Sequence, residues 1–168
     1  MNDATDITSH IPRLRRYARA LTGDSSAADV LVQDTLERAW RRLVLWRAGS
    51  DLRAWLFTIM HNIFVNQLRG NPRKLAHAAE LRGADLTPAM PQEDRLVLRD
   101  LNRALENLPH DQREVLLLVG LEQMTYEEAA KVIGIPVGTV MSRLSRGREQ
   151  LRVLMSGTGA AVQLKVFK

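Results

Sequence analysis

The sequence predicts an all-α protein of two small helical domains joined by a flexible linker. Aromatic residues make up only 5% of the 168 residues, whereas Leu, Ala, Arg and Glu are abundant, and this composition favours helices over sheets. Apolar residues recur at helical spacing in both halves of the chain. The stretch between them contains Gly70, Pro72, Gly83, Pro88 and Pro91 and has little periodicity, which is typical of a linker. We therefore divide the chain into a first domain (1–69), a linker (70–92), a second domain (93–155) and a tail (156–168).

Three helices with short connections are predicted in the first domain. The first ends at Gly23, and the second follows a cap within residues 24–26 and runs to about Leu45, with Trp40 in its apolar stripe. Asp51 can cap the third helix, which starts at the next residue and runs to about residue 69. The polar side of this third helix carries His and Asn rather than the Lys and Glu of an ordinary solvated face. Because Asn and Arg side chains bind base edges and phosphates, this side is a candidate DNA contact.

The second domain contains the strongest local signal, a helix-turn-helix. Upstream of it, a helix resumes after Pro91 and ends at Pro109, and Asp111 is predicted to cap a short apolar helix that reaches Val119. The helix-turn-helix itself starts with a capping box, and it has a small residue where the helices cross, a glycine for the positive φ of the turn, and an apolar residue that packs into the angle between the helices. These residues are Thr125 with Glu128, Ala130, Gly134 and Val140.

The second helix of this motif is predicted to present polar side chains to DNA, where Arg can bind guanine edges or phosphates. The predicted DNA contacts are Thr139, Ser142, Arg143 and Arg146. The charge pattern agrees, because residues 109–136 have a net charge of −3 (2 basic, 5 acidic) and residues 137–168 have +5 (6 basic, 1 acidic), in a chain of net +5. A basic stretch directly after an acidic one favours a nucleic-acid partner, although a solvated basic face remains the alternative.

Other function classes have little support in the sequence. The absence of cysteine excludes disulfides, thiolate metal sites and a cysteine nucleophile. The four histidines have no metal-ligand spacing, and there is no phosphate-binding loop or nucleophile elbow, so we expect no enzyme activity, metal or cofactor. No apolar run is long enough to span a bilayer, and the first ten residues lack a signal-peptide pattern. We therefore expect a soluble, cytoplasmic protein.

Four stretches together resemble the RNA polymerase sigma factors of the extracytoplasmic-function (ECF) type, the small two-domain members of the sigma-70 family. Residues 29–40 (DVLVQDTLERAW) are similar to the family's polymerase-binding segment, and residues 52–69, which begin LRAWLFTIMHNI, to its −10 recognition and melting segment. Residues 105–116 (LENLPHDQREVL) resemble the start of its C-terminal domain. Residues 124–148, from MTYEEAA to GTVMSRLSRGR, resemble its −35-binding helix-turn-helix.

This resemblance implies roles for the polar residues singled out above. The exposed face of the second helix is expected to bind the β′ clamp helices of core RNA polymerase, through Asp29, Gln33, Asp34, Glu37 and Arg41. The loop before the third helix is expected to capture a base flipped from the −10 strand of promoter DNA, and the third helix to line the approach. This −10 set comprises Arg47, Ser50, Asp51, Arg53, His61, Asn62, Asn66 and Arg69. The −35 element is expected to contact the helix-turn-helix, where Met141 replaces an Arg often present in the family. An anti-sigma factor is a further expected partner, in a stress or signal response.

Two other kinds of protein are compatible with parts of the sequence. A conventional helix-turn-helix regulator would use the first domain as a sensor or dimerisation unit, and it would bind a pseudo-palindrome as a dimer. A protein-binding adaptor would use its helices for protein contacts alone. It would leave the basic last helix and the Asn and His side of the third helix unexplained.

Overall fold

The computed structural model describes residues 7–46, 49–70 and 90–156, and within these ranges it contains helices and no strand. The all-α prediction is therefore confirmed. The interior of the predicted linker and the predicted tail after residue 156 lie outside the described residues. None of the described helices combines the length and the apolar character that crossing a membrane requires. The helices are α1 (Ile11–Thr22), α2 (Ser25–Arg42), a 3-10 helix (Leu43–Leu45), α3 (Leu52–Gly70), α4 (Gln92–Glu106), α5 (His110–Leu116), a π-helical turn (Leu117–Leu121), α6 (Tyr126–Ile133) and α7 (Val137–Ser156).

The end of α1 and the starts of α2 and α3 lie at the residues that the sequence predicts, whereas α2 ends at Arg42 and a 3-10 helix continues to Leu45. Gly23 adopts the left-handed conformation, with φ of 71°, and ends α1. The Asp24 carboxylate accepts a hydrogen bond from the Ala27 N–H at 2.9 Å and caps α2. Asp51 does the same for α3, accepting from the Ala54 N–H at 3.2 Å. These caps confirm the predicted connections of the first domain.

The predicted apolar stripe of α2 places Trp40 in the core, but in the structure Trp40 lies at the surface. Its side chain is 48% exposed, whereas Val32 and Ala39 of the same helix are buried. Successive residues of an α-helix are about 100° apart, so Trp40 lies at the edge of the stripe that Val32 and Ala39 define. The prediction was wrong because the stripe is narrower than the sequence pattern indicated.

The start of α5 also differs from the prediction. Pro109 occupies the N-cap position, and the helix begins one residue before Asp111, which was expected to be the cap. Proline has no N–H, so a helix that starts directly after it loses no donor. The Asp111 carboxylate accepts the Gln112 N–H at 2.9 Å within the first turn. After α5 the chain continues as a π-helical turn and leaves it through Gln123, a non-glycine residue with a positive φ of 55°.

The two helical domains pack directly against each other. α3 packs against α6, and α1 packs against the π-helical turn. The buried apolar residues of both domains form one continuous cluster. Phe64 of α3 contacts the ring of His110 edge-on, with 5.8 Å between the ring centroids. The sequence, which predicts two domains and a linker, does not predict this contact between them.

Arg113 ties the second domain together and joins it to the first. Its guanidinium is buried and donates to the carbonyls of Leu105 at 2.6 Å, Glu106 at 2.7 Å and Leu108 at 3.1 Å. A fourth hydrogen bond, at 3.0 Å, goes to the carbonyl of Leu21 at the end of α1. One planar group with several fixed donors can satisfy carbonyls from both domains at once.

Candidate nucleic-acid interface

The helix-turn-helix forms from α6 and α7 as its sequence predicts. The Thr125 hydroxyl accepts the Glu128 N–H at 3.1 Å, and the Glu128 carboxylate accepts the Thr125 N–H at 2.9 Å. Gly134 ends α6 with φ of 78°. Ala130 and Val140 are buried at the crossing of the two helices. The capping box therefore determines where α6 begins, whereas the left-handed glycine and the packing of Ala130 and Val140 determine the angle between α6 and α7.

The four predicted −35 residues differ in the solvent exposure of their side chains on α7. Ser142 and Arg146 are exposed, and the Ser142 hydroxyl donates to the Thr139 carbonyl at 3.2 Å. Thr139 itself is half-buried. Arg143 is also half-buried, and its Nε lies 3.7 Å from a carboxylate oxygen of Asp111. Among these four, Ser142 and Arg146 are thus the side chains that can reach a DNA groove without a change in the domain.

The predicted −10 residues divide into an exposed group and a group held by the second domain. Ser50, Asp51, Asn62, Asn66 and Arg69 are exposed, while Arg47 lies outside the described residues. Beside this surface, the rings of Trp46 and Trp55 lie 6.5 Å apart between centroids, at a tilt of 41°.

Arg53 and His61 are the −10 residues that contact the second domain. Arg53 Nη1 donates to the Glu122 carbonyl at 3.1 Å, and its Nη2 lies 3.4 Å from a carboxylate oxygen of Glu128. His61 Nδ1 contacts the buried Glu114 carboxylate. In this structure both side chains are engaged by acidic groups of the second domain, in positions where the sequence places a DNA contact.

The predicted polymerase-binding face of α2 is a continuous polar surface. Asp29, Gln33, Glu37 and Arg41 are exposed, and Asp34 is half-buried. The Arg41 guanidinium donates to the Glu37 carboxylate at 2.6 Å, one helical turn away. This face borders a shallow groove, whose lining residues are Asp34, Glu37, Arg38, Arg41, Arg42 and Ile63. The groove is lined by charges of both signs and by one apolar residue, so a partner would meet a mainly polar surface here.

The contact between the domains contains a buried acidic group that the sequence does not predict. The Glu122 side chain is fully buried, and its Oε1 accepts a hydrogen bond from Arg16 Nη2 at 3.3 Å. Its Oε2 lies 3.5 Å from Arg13 Nε. Burial raises the pKa of this carboxyl above its ordinary value, although the nearby Arg16, Arg13 and Arg53 lower it. The acidic character of residues 109–136 was a signal for such a partner, but it did not identify which basic residues would meet it.

Comparisons with known proteins agree with this geometry. Residues 7–61 match the family model for the sigma2 domain of PhyR, and residues 98–151 match the model for sigma-70 region 4. The chain is 40% identical, over 92% of its length and 86% of the relative's, to the ECF RNA polymerase sigma factor EcfG of Rhodopseudomonas palustris.

Solved structures give the same result. One is the sigma factor RpoE of Bartonella quintana in complex with the anti-sigma factor NepR, with a TM-score of 0.75, 36% identity, and coverage of 91% of this chain and 96% of that one. Another is CnrH in complex with the cytosolic domain of CnrY, with a TM-score of 0.68, 29% identity, and coverage of 92% and 87%. Family models, sequence and fold thus agree over both domains, and the chain belongs to the ECF group of the sigma-70 family of RNA polymerase sigma factors.

Proposed function

We propose that this sigma factor binds core RNA polymerase through the polar face of α2 and directs it to promoters. In this proposal α7 reads the −35 element, and α3 with its preceding loop reads and melts the −10 element. The observation that carries the proposal is the helix-turn-helix, which leaves Ser142 and Arg146 exposed on α7, within a chain related to sigma factors over both domains. Melting by capture of a flipped base needs no hydrolysis, so we propose a non-enzymatic factor without a cofactor. We also propose that it acts in the cytoplasm.

An anti-sigma factor is the proposed regulatory partner. The related RpoE of Bartonella quintana was solved in complex with the anti-sigma factor NepR, and its fold matches this chain over 91% of this chain's length. A partner that covers both the α2 groove and the exposed side of α3 would block polymerase and DNA at the same time. We therefore place its binding surface on the first domain.

Transcription in vitro tests the proposal. The chain is added to sigma-free bacterial core polymerase over a library of genomic fragments, and the 5′ ends of the transcripts are sequenced. We expect discrete starts that share two upstream elements. DNA binding without specific starts would contradict the proposal and favour a conventional helix-turn-helix regulator.

Two variants with matched controls separate the surfaces. Arg146→Ala is expected to weaken −35-dependent binding and to make its salt slope shallower by about one counterion, whereas Arg152→Ala, an exposed arginine of the same helix, leaves the slope unchanged. Asp34→Arg is expected to reduce polymerase affinity without loss of helix content, whereas the exposed Asp94→Arg does not. Equal effects of variant and control would exclude the assigned surface.

A further inference from the structure

The contact between the two domains is centred on one acidic residue of the second domain and three arginines of the first. Arg13 and Arg16 of α1 and Arg53 of α3 all approach Glu122, through its two carboxylate oxygens and its carbonyl. Glu128 also lies beside Arg53. Three positive charges from two helices thus face two carboxylates, so the arginines form a positively charged surface even in this arrangement.

The local backbone around Glu122 is shaped to present this side chain. The preceding π-helical turn ends at Leu121, and the Glu122 N–H donates to the Leu117 carbonyl at 3.0 Å. The next residue, Gln123, adopts a positive φ that non-glycine residues rarely have. Such turns and strained residues are often found at functional sites, because they aim a side chain in a direction that a regular helix does not allow.

The ion pairs at Glu122 are incompletely formed. Its Oε2 is buried and accepts no hydrogen bond from any described residue, although Arg13 lies 3.5 Å away. Burial raises the pKa of the carboxyl, which means that the charged form is poorly compensated at this place. The side chains of Arg13 and Arg16 remain 44% and 57% exposed. A phosphodiester of the DNA backbone has, like a carboxylate, one negative charge on two free oxygens, and arginine binds both groups in the same bidentate geometry, so DNA can take the place of Glu122 on these guanidinium groups.

The closed arrangement cannot persist on a promoter. The −35 and −10 elements are about 25 base pairs apart, or about 85 Å at a rise of about 3.4 Å per base pair. A compact chain of 168 residues has a radius of gyration of only about 15 Å, so it cannot reach both elements while its domains are packed together. If the chain contacts both elements, as the proposed function requires, its domains separate and Glu122 leaves the arginines.

We propose that Arg13, Arg16 and Arg53 form a surface that binds backbone phosphates of promoter DNA, and that Glu122 occupies this surface while the two domains are packed together. The inference rests on the proposed function and adds two residues of α1 that the −10 set does not include. Arg53 belongs to both groups and lies in the first turn of α3, so the surface is continuous with the −10 set. Glu122 thereby acts as an internal competitor of DNA in the free chain.

The salt dependence of DNA binding tests the phosphate contacts. The double variant Arg13→Gln/Arg16→Gln is assembled with core polymerase and titrated with promoter DNA between 50 and 200 mM salt. Each lost phosphate contact makes the slope of log K against log salt shallower by about 0.9. Loss of two contacts over this fourfold change in salt means that the affinity of the variant is expected to fall about 12-fold less than that of the wild type. The matched control is Arg15→Gln/Arg19→Gln, which removes the same charge from exposed positions of the same helix.

Measurements on the free chain test the role of Glu122. Without polymerase, Arg13→Gln/Arg16→Gln is expected to change the slope by less than the value for one phosphate contact, because in the free wild-type chain Glu122 already occupies these two arginines. Glu122→Gln keeps the shape of the side chain and removes its charge, so the free chain is expected to bind DNA more tightly and with a steeper slope. The same substitution is expected to leave DNA binding by the polymerase complex unchanged.

Several outcomes would overturn the inference while wild-type promoter binding remains normal. These are an unchanged slope for the polymerase complex of Arg13→Gln/Arg16→Gln, an equal change in the control, or free-chain binding that Glu122→Gln does not strengthen. A wild-type complex that shows no preference for any promoter would instead overturn the proposed function, and the inference with it. Circular dichroism of each variant establishes that its helices are intact.

Discussion

Replacing Arg113 by Met is expected to destabilise the second domain more than the first. The change removes four hydrogen bonds to carbonyls. Leu105 O keeps the Leu108 N–H as a donor, whereas the carbonyls of Leu21, Glu106 and Leu108 lose a charged one. A buried polar group without its partner costs about 1–3 kcal/mol, and the desolvation cost of the guanidinium disappears in the variant, so we take the lower limit for each. The expected loss in free energy of unfolding is about 3 kcal/mol, or about 6–12 °C in Tm for a chain of this size.

Urea denaturation followed by two probes separates the domains in this experiment. All three tryptophans, Trp40, Trp46 and Trp55, lie in the first domain, so their fluorescence reports its unfolding, while circular dichroism reports helices of both domains. In Arg113→Met the circular dichroism transition is expected at lower urea than the fluorescence transition. The control is Arg152→Met, an exposed arginine paired with Glu149, for which both midpoints stay in place. A decrease in the free energy of unfolding below about 1 kcal/mol would show that the hydrogen bonds from Arg113 to these carbonyls do not stabilise the fold.

Three further changes test the local structure. Thr125→Ala removes half of the capping box and is expected to cost about 1 kcal/mol in thermal unfolding, whereas an unchanged Tm would mean that Glu128 alone is sufficient. Gly134→Ala places a Cβ at φ of 78° and is expected to cost about 1–2 kcal/mol by urea denaturation, and a stabilised variant would exclude the left-handed turn. Burial raises the pKa of Tyr17 well above 10.0, so its uncharged form stabilises the fold below pH 10 and this contribution is lost as the pH rises further. Tyr17→Phe is therefore expected to lose less stability than the wild type between pH 10 and 11.5 by urea denaturation at each pH, and parallel curves would contradict this.

The local parts of the fold could be predicted because short-range chemistry determines them. Caps at Asp24 and Asp51, the capping box at Thr125 and the left-handed glycines depend on residues within about four positions of each other, so their spacing is visible in the sequence. The exposure of Ser142 and Arg146 follows from the same helical periodicity. The two misplaced details, Trp40 and the start of α5, concern edges, where periodicity alone does not determine burial or the first helical residue.

The all-α class, the helix-turn-helix and its exposed polar residues could therefore be derived from the residues alone, and the family from the resemblance of four stretches. The packing of the two domains and the contacts of Glu122 with Arg13, Arg16 and Arg53 are visible in the three-dimensional structure alone. These contacts join residues about 70–110 positions apart, such as Arg53 with Glu122 and Arg16 with Glu122. Charge patterning shows an acidic segment followed by a basic one, but the partner of a given carboxylate depends on how the helices pack, and no local spacing encodes it.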